Sequence, residues 1–195
     1  PTMSQIFGEF IEDLQTSHEY LILGFSPSSI PLKQRWRNNG LSADFLADYL
    51  ATFFPGNENS INGNPLRTEI KSAVSFIANE LLENAMKFSD ETSNYTVSIG
   101  LYLKSDKLIF MVKNSVALER VSKFQTFLKE LTTSDPNELY IQQLEQNAQD
   151  DTITESRLGL LTMINDYQAI LGWKFDTIST IPELHTVTTM VQVTL

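Results

Sequence analysis

Apolar and polar positions along the chain fall into blocks with different periods. Residues 4–16 carry Ile6, Phe7, Phe10, Ile11 and Leu14 at helical spacing, which predicts an N-terminal helix within residues 1–19. Residues 20–25 are a short apolar run closed by Ser26-Pro27, the pattern of a strand. Residues 31–41 hold Lys33, Arg35 and Arg37 and then Asn38-Asn39-Gly40, and read as a loop. A helical period returns over 42–54 through Phe45, Leu46, Tyr49, Leu50 and Phe53, with Ser42 placed to cap it. Residues 55–65 are rich in turn formers and read as a loop.

The strongest helical pattern runs over 69–88, where Val74, Ile77, Leu81, Ala85 and Phe88 form one apolar stripe. Two strand-like runs follow, 95–103 and 107–114, joined by Lys104-Ser105-Asp106 as a hairpin. Residues 117–131 read as a helix. Residues 132–156 are acidic and look mobile, with room for one helical turn between Leu139 and Leu144. A last helix is predicted over 158–171, capped by Gly172, and strands over 173–178 and 187–195 flank a Pro182-Glu183 turn. After the N-terminal helix the order is β-α-α-β-β-α-α-β-β. That mixture lacks β-α-β alternation and predicts an α+β domain, a mostly antiparallel sheet with helices on one face.

Composition narrows the chemistry. The chain has 195 residues, no cysteine, two histidines and a net charge of −10. Without cysteine there is no disulfide, thiolate nucleophile or iron–sulfur cluster. Only 14 Lys and Arg are spread along the chain, without a basic run, which argues against nucleic acid as a partner. No apolar stretch is long enough for a membrane span, and no secretory signal is evident, so a cytoplasmic location is expected.

The residues that carry candidate chemistry lie in the 69–88 helix. Glu80 and Asn84 are four apart and share a face, and Lys87 lies three further on. A carboxylate can orient or deprotonate a hydroxyl, an amide oxygen can ligate Mg²⁺, and an ammonium can meet phosphate charge. The alternative is an ordinary solvated helix, in which Glu83 and Lys87 form an i,i+4 pair worth a few tenths of a kcal/mol.

The segment Glu80-Leu81-Leu82-Glu83-Asn84-Ala85 resembles the N-box of the GHKL superfamily of gyrases, histidine kinases and MutL proteins, which share the Bergerat two-layer α/β sandwich. Lys87-Phe88 is similar to the basic–aromatic pair that histidine kinases often add. The resemblance implies Glu80 as general base, Asn84 as Mg²⁺ ligand and Lys87 as a phosphate contact. It also implies an ATP site completed by two glycine boxes, and here both are partial. Asn114-Ser115-Val116 stands where Asp-x-Gly is expected. Asn114 could accept from the adenine amino group, but Val116 replaces the glycine that lets the base approach.

Glu155-Ser156-Arg157-Leu158-Gly159-Leu160 keeps only the Leu-Gly-Leu core of the second box. There Gly159 would bring backbone to phosphate at a helix start, and Arg157 would reach a γ-phosphate. Gly159 reads equally well as a closely packed helix-start glycine. Residues 117–156 occupy the place of the ATP lid but contain no glycine.

Length and motif set are most similar to single-domain anti-sigma-factor serine kinases and SiaB-like protein kinases, with residues 20–195 as one ATP-binding domain. The implied function is partner switching by a serine/threonine protein kinase with Mg-ATP, acting on a small regulatory protein. The alternative is an inactive GHKL-like module that sequesters its partner. His18-Glu19 resembles the start of a phospho-acceptor box, but Tyr20-Leu21 already begins a strand. The N-terminal helix, through Ile6 to Leu14, would either support a homodimer or pack on the domain. With so few cations, phosphate binding should depend strictly on Mg²⁺, and a protein partner should present a basic patch.

Overall fold

The computed structural model describes residues 4–15, 18–28, 32–54, 65–90, 92–145 and 151–195. The chain divides into two compact units, Ile30–Glu83 and Pro1–Ser29 with Asn84–Leu195.

The larger unit is built on a six-stranded sheet of β1 (Gln5–Gly8), β2 (Glu19–Phe25), β3 (Val97–Leu103), β4 (Lys107–Val116), β5 (Ile170–Thr180) and β6 (Glu183–Thr194). Its order is β1-β5-β6-β4-β3-β2, and every neighbouring pair is antiparallel. Register places Leu108, Phe110, Val112 and Asn114 on one face, with Ile99, Leu101, Val187, Val191, Trp173 and Phe175. Alternation of side chains makes this face apolar and largely buried.

Helix α3 (Leu118–Thr133) covers that face. Its Phe124 meets Phe175 edge-on at 5.8 Å and stacks on Phe88 at 5.7 Å, while Phe127, Leu128 and Leu131 are buried. Helices α4 (Pro136–Glu145) and α5 (Asp151–Tyr167) pack together beside it, where Asn165 Nδ2 donates to Pro136 O at 3.5 Å. The α+β fold with an antiparallel sheet and a helical layer is therefore as the sequence predicts.

The N-terminal helix is not formed. Residues 5–8 are strand β1, and the following residues cross the opposite face of the sheet as an extended strap. Glu9 N–H donates to Leu171 O at 3.0 Å, Ile11 N–H to Met190 Sδ at 3.5 Å, Glu12 lies 3.9 Å from Lys174 Nζ, and Lys104 Nζ donates to Gln15 O. The apolar doublets Ile6-Phe7 and Phe10-Ile11 imitate a helical period. Gly8 breaks it with φ 67°, a left-handed conformation, and a Cβ there would sit 2.5 Å from Leu171 O. Phe10, Ile11 and Leu14 are half-buried, so this segment packs on its own sheet.

The smaller unit holds α1 (Leu32–Ala51) and α2 (Pro65–Phe88) up to Glu83. Lys71 pairs with Asp48 at 2.7 Å and Ser75 donates to Asp44 at 3.3 Å, joining the two helices. Helix α1 begins well before Ser42, in the stretch whose basic and turn-forming residues read as a loop. Arg35 and Asn39 are buried and continue the stripe of Ala43, Leu46, Ala47 and Leu50 back toward the helix start. Burial of polar residues on a helical stripe hides the period from a hydrophobicity reading. Desolvation lowers the pKa of the Arg35 guanidinium, which remains a cation at physiological pH.

In the stretch 132–156, expected to be mobile, the described residues are largely helical. Asp135 caps α4, its Oδ1 accepting from Asn137 N–H at 2.8 Å and Glu138 N–H at 3.2 Å, with Pro136 at the first helical position. Helix α5 starts at Asp151 and ends at Tyr167, where Gln168 takes φ 50° and turns the chain into β5. Gly172 accordingly lies in a strand and caps nothing; a Cβ there would meet Glu9 O of the strap at 2.2 Å. The predicted 55–65 loop falls almost wholly outside the described residues. The 95–103 and 107–114 hairpin forms as β3 and β4, closed by Lys104 N–H to Lys107 O at 2.9 Å.

Candidate functional site

Helix α2 is continuous through Glu80, Asn84 and Lys87, which therefore follow one another at one-turn intervals. Glu80, Asn84 and Lys87 are each half-buried. Asn84 Oδ1 is buried without a hydrogen-bond partner. An amide oxygen left without a partner costs about 1–3 kcal/mol, and a water or a hard cation would satisfy it. Glu83 turns elsewhere and accepts from Asn79 Nδ2 at 3.2 Å.

The end of α2 is fastened by residues that carry no motif. Arg120 Nη1 donates to Lys87 O at 2.6 Å, so α3 caps the last turn of α2. Ser89 Oγ donates to Ala85 O, and Asp90 N–H donates to Ser115 Oγ at 3.0 Å, which ties the chain after α2 to β4. Their partners are main-chain atoms, which is why no residue pattern announces them.

Asn114 lies inside β4, 4% exposed, in register with Val187 and through it with Phe175. Its Nδ2 donates to Ser115 O at 2.8 Å. The amide thus fits where a carboxylate would confront a carbonyl. Val116 is buried and paired with His185, so the position expected to open the backbone is filled by a packed side chain. His185 itself is half-buried within β6, with Nδ1 3.2 Å from Thr177 Oγ1 and Nε2 3.0 Å from Glu183 Oε1. The second of these contacts is close but lacks hydrogen-bond alignment.

Arg157 lies on α5 with its guanidinium carbon 4.6 Å from the centre of the Phe127 ring, and its Nε is buried without a partner. Gly159 is buried in the interior of α5, past its second turn. The helix start that the sequence placed beside Gly159 is instead at Asp151, because the acidic residues before Arg157 are already helical. Helix α3 links these parts, holding Lys87 O through Arg120 and Arg157 through Phe127. The lid region, 117–156, consists of α3, α4 and the first turn of α5 among the described residues.

The donor set fits a divalent cation at one point, the free Asn84 oxygen. Among the described residues no cluster of three His, Asp or Glu side chains could hold a metal alone. A cation here would need phosphate oxygens and water for its remaining ligands. No helix among the described residues is long and apolar enough to cross a membrane.

No protein-family profile matches the chain, and no characterised protein sequence does. Solved structures do match. A chain of the SiaB–SiaC complex from Pseudomonas aeruginosa superposes with a TM-score of 0.56 at 13% identity, over 90% of this chain and 89% of that one. At that identity the likeness is one of fold.

Proposed function

We propose that this chain is a partner-switching regulatory protein that holds Mg-ATP against α2 and phosphorylates a serine or threonine of a small partner protein. The observation that carries the reading is Asn84 Oδ1, a buried acceptor without a partner on the helix that also presents Glu80 and Lys87. Its likeness in fold to a chain of the SiaB–SiaC complex supports a small protein partner and a regulatory role.

Asn84 would hold Mg²⁺ through its amide oxygen, and the ion when bound would supply positive charge to the phosphates. Glu80 can accept the proton of an acceptor hydroxyl. Lys87 would meet phosphate oxygens, and Arg157 could do so only by leaving the Phe127 ring. Rate enhancement in such a site comes from positioning and charge stabilisation.

A second reading, a sequestering module without nucleotide, is favoured by Val116 and Gly159. One is packed where a nucleotide site needs open backbone, and the other is enclosed in a helix. A thermal melt with Mg-ATP separates the two. A ligand at about 100 times its Kd stabilises by about 2.7 kcal/mol. A shift of that order, followed by phosphate transfer that Asn84→Ala abolishes, is expected of the kinase. No shift at millimolar Mg-ATP leaves the sequestering module.

A further inference from the structure

The sheet has two edges of different construction. Strand β1 is four residues long, and the strap leaves it directly at Gly8. Strand β2 is seven residues long, paired over its full length to β3, with no strand on its other side among the described residues. An edge of this length is ordinarily blunted by lysine, proline or a bulge. The strand contains none of these, and its one charged residue is Glu19 at its start.

The outer face of β2 presents Tyr20 at 51% exposure, Ile22 at 52% and then Gly24. Tyr20 already stacks on Tyr102 at 5.9 Å, and the Tyr102 ring covers Gly100, where a Cβ would lie 2.8 Å from it. An aromatic ring seated over a glycine is thus a packing unit of this sheet.

We propose that β2 is a homodimer edge, pairing antiparallel with β2 of a second copy about a two-fold axis at Ile22. That register sets Ile22 against Ile22, Leu21 against Leu23, and Tyr20 against Gly24, so each large ring meets the residue with no side chain. Shifting the register by two residues sets Tyr20 against Ile22 or Ser26 and loses the match. The symmetric fit of a bulky and a vacant position argues for a second copy of this chain over a foreign strand. Charge points the same way. Two chains of −10 repel, and an edge whose one charge is Glu19 at its start, set against Phe25 of the other copy, is where they approach at low cost. One strand pair buries less than the roughly 1,200 Å² of a standard interface, so the dimer is weak and concentration-dependent.

The test is sedimentation equilibrium of the full chain over a concentration series, at low and high salt. We expect a monomer–dimer equilibrium that tightens with salt as repulsion is screened. Gly24→Ala adds a Cβ that meets Thr96 Cγ2 at 3.5 Å and Val97 O at 3.9 Å, both ordinary contacts. It should leave the melting temperature undiminished and weaken the dimer about tenfold, or ~1.4 kcal/mol. Ile22→Lys, which sets two ammonium groups on the axis, should abolish the dimer. A chain that stays monomeric throughout, or a dimer indifferent to both substitutions, overturns the proposal. So does a monomer that loses a protein partner on Ile22→Lys, because the edge would then belong to that partner.

Discussion

Helix α2 and the β4–α5 segments were expected to form the two halves of one nucleotide site, and they differ in what their polar groups are doing. On α2, Asn84 keeps an acceptor buried and unpartnered. On β4, Asn114 donates to Ser115 O; on α5, Arg157 lies over Phe127. Asn84 leaves an acceptor for something else and Asn114 uses its donor within the fold, while Arg157 stands between them, its guanidinium against a ring and its Nε unpartnered. A residue matching a motif is therefore weaker evidence than a matching residue whose polar atoms are still free.

The sharpest break in that contrast is Asn114→Asp, which introduces the residue type of the glycine-box motif that the sequence resembles in part. If Asn114 is structural, the substitution buries a carboxylate against a carbonyl and costs about 3 kcal/mol. Urea unfolding would report it as a lower midpoint at unchanged slope. If the position is instead a nucleotide acceptor, the loss should be largely recovered in Mg-ATP. Recovery would move Asn114 to the other side of the comparison.

Asn84→Leu probes the opposite half. Removing an unpartnered buried acceptor should raise the stability of the protein alone by about 1–3 kcal/mol and abolish any Mg-ATP shift. A loss of stability would mean that the amide is needed by the fold itself, and α2 would then resemble β4. Melts of both proteins with and without Mg-ATP decide it.

Five strands of the sheet, the hairpin among them, and the body of α2 were legible because their apolar positions have clean periods. Val74, Ile77 and Leu81 mark α2, and the alternation through Phe110 and Val112 marks β4. What was illegible has physical causes. Arg35 and Asn39 place polar residues on the buried stripe of α1, so the helix reads as a loop. Ile6-Phe7 and Phe10-Ile11 mimic a helix because one doublet lies in β1 and the other in the strap, four residues apart across the turn at Gly8. Asp135-Pro136 was a readable start signal for α4, masked by the acidity around it. In the candidate site, the sequence placed Glu80, Asn84 and Lys87 on one helix correctly. It carried nothing about Arg120, Ser115 or Phe127, which act through main-chain atoms and a ring face.

Arg157→Ala tests whether the ring contact is what that arginine does. A guanidinium over an aromatic ring contributes about 0.5–2 kcal/mol, and its stem adds apolar packing. We expect a loss of about 1–2 kcal/mol in urea unfolding and no change in the size of a Mg-ATP shift. A variant of normal stability with a smaller shift would place Arg157 among the phosphate contacts and weaken the division between the halves.

The smallest effect concerns how α3 joins the halves. Arg120 closes the last turn of α2 at Lys87 O, on the exposed side of the molecule. A cationic donor at a helix C-terminus contributes about 0.3–1 kcal/mol, and salt screens part of it. Arg120→Ala should therefore cost no more than that in unfolding free energy. Its informative readout is hydrogen exchange. Without the cap, the amides of Lys87, Phe88 and Ser89 should exchange faster than in the parent, while those around Val74 and Ile77 keep their protection. Frayed protection reaching back to Asn84 would make α3 the element that sets the candidate cation ligand. Protection unchanged at Lys87 and beyond would mean that α2 ends where it does without help from α3.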